Sequence, residues 1–98
     1  MAERLPESEI TAALGALPGW TFDVTDGSLW RAYTFRDFVE AFGFMAQVAA
    51  LQERMDHHAT ITNTYSQVGV RLSTHDAGGV TERDLALARA LEERALGR

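Results

Sequence analysis

Two of the chain's three histidines stand side by side in Asp56-His57-His58-Ala59, and the third, His75, sits in Leu-Ser-Thr-His-Asp. Side chains of this type can bind a metal ion, cap a helix or move protons. Three imidazoles can hold a catalytic zinc, but such sites usually draw two ligands from His-x-His or His-x-x-x-His spacing, where both rings point one way. Adjacent rings diverge by about 100° on a helix and about 180° on a strand, which counts against a metal here. The exposed carbonyls at a helix C-terminus favour a positive charge, and that is the bland role open to either histidine alone. Imidazole titrates near pH 6.5, so two or three in one cleft can give and take protons at opposite ends of an elimination. Glu53 stands one helical turn before His57, where its carboxylate is expected to orient that ring. Asp84 closes Thr81-Glu-Arg-Asp84, the spacing of a helix capping box, and is the second carboxylate expected at the cleft.

The histidines are useful only if the elements around them converge. A short helix is expected from about Glu7 to Ala16, with Pro6 in its first turn, Ile10, Leu14 and Leu17 on one edge, and Pro18-Gly19 as its stop. Trp20, Phe22 and Val24 alternate with polar residues, Asp26-Gly27 supplies a turn, and Leu29 to Tyr33 returns, so this stretch reads as a hairpin. Thr34-Phe-Arg-Asp37 has capping-box spacing and opens a long helix to about Met55. Phe38, Phe42, Met45, Ala49 and Gln52 form its expected sheet-facing stripe. Two more strands follow, in Thr-Ile-Thr-Asn-Thr-Tyr and Gln-Val-Gly-Val-Arg-Leu-Ser-Thr, turning at Tyr65-Ser66. In the second, Val68, Val70, Leu72 and Thr74 share one face and Arg71 and Ser73 the other. A last helix begins at Thr81 and carries Leu85, Ala88, Leu91 and Ala95. The order α-β-β-α-β-β-α implies an α+β domain with a four-stranded antiparallel sheet and helices packed on one face. A hairpin of the last two strands would bring His75 beside the His57-His58 junction.

Composition narrows the classes. The 98 residues fit one domain, 1–98, and the 46% hydrophobic content suits a folded globule rather than a disordered chain. With no cysteine, disulfides and zinc knuckles are excluded. The net charge of -5, with the nine basic residues (all arginine) scattered, argues against a nucleic-acid surface. No apolar run reaches the roughly 18 to 20 residues of a membrane span, and the first ten residues lack the apolar stretch of a secretory signal. A cytoplasmic protein is the expectation.

Glu53, His57-His58, Tyr65, the Leu-Ser-Thr-His-Asp run, Gly79 and Thr-Glu-Arg-Asp ending at Asp84 together resemble the pterin-4a-carbinolamine dehydratases. Gly19-Trp20 and the run from Phe35 to Ala49 extend the resemblance, which covers approximately Leu14 to Leu91. It implies the same α+β fold, and dehydration of a 4a-hydroxytetrahydropterin to the quinonoid dihydropterin. That step recycles the cofactor of aromatic amino acid hydroxylases and needs neither metal nor redox cofactor. By the resemblance, His57, His58 and His75 are the catalytic and pterin-contacting group. Ala59 and the segment Thr74, His75, Asp76 and Ala77 line the pocket with backbone groups, and Glu53 and Asp84 support them. Two positions depart from the family pattern: Ala59 stands where proline is usual, and Ile61 where an aromatic residue is frequent. A homodimer or homotetramer is expected, because a sheet covered on one side leaves edges and a face to protect. The competing reading is a non-catalytic pterin-binding or dimerisation module acting through the long helix, with Phe44, Met45, Val48 and Leu51 as its interface candidates or, more simply, as core.

Overall fold

The computed structural model describes residues 3–96 of the chain. Helix α1 (Glu7–Leu14) is followed by strands β1 (Thr21–Asp23) and β2 (Ser28–Thr34), helix α2 (Phe38–Met55), strands β3 (Thr60–Thr64) and β4 (Gln67–Leu72), a one-turn 3-10 helix at His75–Ala77, and helix α3 (Glu82–Leu96). The four strands form one antiparallel sheet in the order β1-β2-β4-β3. This is the α-β-β-α-β-β-α architecture anticipated from the alternation of periods.

Alternation decides which face of the sheet is covered. Along β4, Val68, Val70 and Leu72 are fully buried, while Gln67, Gly69 and Arg71 lie on the other face. The buried row packs with Leu29 and Tyr33 of β2, Phe44, Val48 and Leu51 of α2, and Leu85, Ala88 and Leu91 of α3 in a single core. Tyr33, Phe35 and Phe44 stack within it at centroid separations of 6.2, 4.7 and 5.0 Å. The opposite face of the sheet carries Trp30, Thr60, Thr62 and Arg71, whereas the core residues of the described helices pack on the Val68-Val70-Leu72 side.

Several local expectations are corrected. The cap of α2 is Asp37, not Thr34: Thr34 still pairs with Gln67 in the sheet, and the Phe35 amide donates to the Ser66 carbonyl, so the chain stays extended until Asp37. The Asp37 carboxylate then accepts from the Glu40 amide at 2.9 Å, and Glu40 reaches back to the Arg36 amide at 2.9 Å. The buried face of α2 is Ala41, Phe44, Val48, Leu51 and Gln52. Of the stripe expected to face the sheet, Phe38 and Phe42 are exposed and only Gln52 is buried. A helix with apolar residues on two adjacent faces allows either to be buried. Val24 is exposed because β1 ends at Asp23, and Pro6 caps α1 from outside rather than occupying its first turn.

Candidate functional site

The end of α2 separates the two adjacent histidines. Asp56 adopts the left-handed conformation (φ 50°, ψ 46°), and the His57 amide donates to the Gln52 carbonyl at 3.1 Å, the closure of a Schellman-type turn. This reversal sends His57 inward and leaves His58 outside. His57 is only 7% exposed, whereas His58 and His75 are exposed.

His57 rests on a buried polar network. Its Nε2 lies 2.5 Å from Asp84 Oδ1. The other oxygen of Asp84 accepts from the Thr74 hydroxyl at 2.8 Å and from the Thr81 amide at 2.9 Å, and the two threonine hydroxyls are 2.7 Å apart. Asp84 therefore does both jobs considered for it, capping α3 and reaching the histidines. Burying a carboxylate costs heavily unless its oxygens are paired, and here each oxygen has its partners. The network also ties His57 to the residue immediately before His75. Thr74 and Gly79 exchange backbone hydrogen bonds at 2.9 and 3.3 Å, which closes the loop that presents His75.

Glu53 does not orient His57. Its carboxylate lies 2.8 Å from His58 Nε2 on the exposed side, because the left-handed turn at Asp56 moves His57 away from the surface of α2. The neighbouring Gln52, which is buried, accepts from the Ala59 amide at 2.7 Å. A proline at 59 would have no proton to donate there.

His58 and His75 meet at a cavity of about 310 Å³ lined also by Asp26, Ser28, Thr60, Arg71 and Ser73. Of the residues expected at the substrate, these two histidines are in its wall. His57 and Thr74 lie behind it in the polar network, and Ala59, Asp76 and Ala77 flank it in sequence. Ile61 is opposite Val70 and so belongs to the helix-covered side of the sheet, away from Arg71. Asp26, Ser28, Thr60, Arg71 and Ser73 were not singled out from sequence as site residues. The usable signal was the polar row of β4 and the residue after it, in which Arg71 and Ser73 flank the buried Leu72.

Carboxylates at the end of β1 and in the β1-β2 loop anchor Arg71. Its Nη1 donates to Asp23 Oδ2 at 3.3 Å, Asp26 Oδ2 at 3.0 Å and Ser28 Oγ at 2.7 Å. Hydrogen bonding from the Thr25 amide, and then from Arg71, holds the Asp23 carboxyl below its ordinary range. A larger cavity, about 450 Å³, lies beside the N-terminal segment against Leu5, Ile10, Phe22, Val24 and Gly79. No histidine lines it, so the smaller cavity is the candidate site. Among the described residues no three His, Asp or Glu side chains gather as a metal cage.

The family model for pterin 4 alpha carbinolamine dehydratase matches residues 3–94. The chain belongs to the pterin-4a-carbinolamine dehydratase family. It is 55% identical over 91 residues to a protein of Nitrobacter hamburgensis provisionally named as such a dehydratase, covering 93% of this chain and 90% of that one. A similarly named protein of Rhizobium etli is 44% identical over 97 residues, covering 99% and 96%. A crystal structure described as a transcriptional coactivator/pterin dehydratase from Brucella melitensis superposes with a TM-score of 0.92 at 45% identity, covering 95% of this chain and 99% of that one. A pterin dehydratase-like protein identified as a RuBisCO assembly factor in the alpha-carboxysome shares the fold, with a TM-score of 0.68 at 22% identity over 79% of this chain and 89% of that one. The dehydratase fold thus occurs in proteins described by other roles.

Proposed function

We propose that this protein removes water from a 4a-hydroxytetrahydropterin to give the quinonoid dihydropterin, by metal-free histidine acid/base catalysis. The observation that carries the reading is the convergence of His58 and His75 on one cavity, with His57 fixed behind them by the buried Asp84-Thr74 network. In the reaction the C4a–O bond breaks, N5 loses its proton, and the electron pair released at N5 forms the C4a=N5 double bond. An imidazolium protonates the departing hydroxyl and an imidazole accepts the N5 proton, so water is the only other product. One pair of rings can supply both functions across a bound bicyclic ring.

Asp84 supports the reaction through His57. Its hold on Nε2 fixes the ring's orientation, as a carboxylate does for a catalytic histidine elsewhere, while Nδ1 makes no hydrogen bond to the described residues. Glu53 does the same for His58 from the solvent side. Backbone groups of Ala59 and of Thr74, Asp76 and Ala77 are the proposed partners of the pterin amide edge. The physiological role under this reading is recycling of the pterin cofactor of an aromatic amino acid hydroxylase, in the cytoplasm. The test is the rate of 4a-hydroxytetrahydropterin dehydration in wild type and in His58→Ala and His75→Ala. The variants should be slower by about 10²- to 10⁴-fold, and a chelator should leave the wild-type rate unchanged.

A second reading is favoured by one feature of α2. Phe38, Val39 and Phe42 are 45, 78 and 59% exposed on its first two turns. This face is proposed to pair with a second copy of the chain in a homo-oligomer. Of the four residues expected in that role, Phe44, Val48 and Leu51 are core and Met45 is half-buried against it. Phe42→Glu should lower the mass measured by sedimentation; an unchanged mass would remove α2 from the interface.

A further inference from the structure

Arg71 stands in the wall of the histidine cavity, and the dehydration chemistry as proposed gives it no task. It projects from the face of the sheet opposite the core, between its cross-strand partners Trp30 and Thr60, with its guanidinium 6.0 Å from the Trp30 ring centroid. All its protein hydrogen bonds pass through Nη1, to Asp23, Asp26 and Ser28. Nε and Nη2, the adjacent donors along one edge of the planar fork, have no acceptor among the described residues. A guanidinium held at one corner is oriented, and its remaining donors are placed to meet a ligand acceptor.

The charge balance says what kind of acceptor. Two carboxylates, Asp23 and Asp26, already lie within 3.3 Å of the guanidinium, so its charge is offset on the Nη1 side and its free donors need no charged partner. An uncharged oxygen is favoured. In the reacting pterin, the atoms that His58 and His75 must reach, C4a and N5, adjoin the C4 carbonyl. A cavity near 310 Å³ is at the small end for ligand sites, sized for a fused bicyclic ring with its C6 substituent directed outward.

We propose that Arg71 is a substrate-orienting residue that donates to the C4 carbonyl of the pterin ring. The assignment rests on the dehydratase reading above. Binding of 7,8-dihydropterin, and of its analogue lacking the 4-oxo group, is to be measured calorimetrically with wild type, Arg71→Met and Arg71→Lys. Lysine keeps the charge beside Asp23 and Asp26, so the second variant preserves the loop should methionine disturb it. Dihydropterin should bind Arg71→Met about 10-fold or more weakly than wild type, and Arg71→Lys weakly too, because one donor of a charged hydrogen bond is lost or displaced. The analogue should bind all three proteins alike. Equal losses for both ligands would mean that Arg71 acts only by holding the loop, and unchanged dihydropterin binding in both variants would remove it from the site; either overturns the proposal while leaving the reaction standing. Failure of wild type itself to bind dihydropterin would overturn the dehydratase reading, and this assignment with it.

Discussion

At the scale of single residues, the pair His57-His58 is one motif with two environments. A single left-handed residue, Asp56, turns one ring to a buried carboxylate and the other to an open cavity. Asp84→Asn should therefore act on both stability and rate. It keeps the shape but removes the charge facing His57 and places an amide where Thr74 and Thr81 donate, so unfolding should become easier by about 1 to 3 kcal/mol in urea titrations. Glu53→Gln changes an exposed contact, and the same measurement should show a shift within about 0.5 kcal/mol. Ala59 supplies a second contrast. Proline at this position removes some chain entropy from the unfolded state, worth up to about 1 kcal/mol, but leaves the buried Gln52 oxygen without its donor, at a cost of about 1 to 3 kcal/mol. Ala59→Pro is expected to lower the melting temperature, and pairing it with Gln52→Leu should restore most of the loss.

At the scale of elements, legibility followed how strictly a pattern excluded its alternatives. β4 alternates without exception from Gln67 to Leu72, and its buried row was readable directly. The hairpin of β3 and β4 then placed His75 near the histidine pair from sequence alone. The long helix was recognisable as a helix, but its inward face was not, since Phe38-Val39 and Phe42 offered an apolar stripe as plausible as Ala41, Phe44 and Val48. The start of the helix was open too, because two polar residues, Thr34 and Asp37, compete for the cap at capping-box distance. Asp37 won because the sheet holds Thr34 through Gln67. Within the site, the histidines and Asp84 were legible as chemical groups, whereas Arg71 was not, because its place depends on loop carboxylates more than 40 residues away in sequence. The element-scale test of the corrected face is a pair of substitutions. Phe44→Ala should cost about 3 to 5 kcal/mol of stability and Phe38→Ala much less; comparable losses would contradict the assignment.

At the scale of the whole molecule, one sheet separates two tasks. The covered side holds the core and the open side holds the polar wall of the cavity, with the histidine loops meeting at one end. The core has its own titratable member in Tyr33, whose hydroxyl donates to Glu92 at 2.5 Å. Burial first, and then Glu92, raise this phenol well above its ordinary value. The unfolded phenol ionises near pH 10 while the folded one keeps its proton, so this contribution to stability is complete below about pH 10 and declines as pH rises further. Urea midpoints at pH 8 and 10.5 should show the lower value at the higher pH, and Tyr33→Phe should reduce the difference. The central claim, that the converging histidines carry out a dehydration, is tested most directly by following quinonoid dihydropterin formation from 4a-hydroxytetrahydropterin with wild type and His75→Ala. The account predicts a fast wild-type reaction slowed by about 10²- to 10⁴-fold in the variant, with the fold intact by circular dichroism. A folded variant that matches the wild-type rate would contradict it.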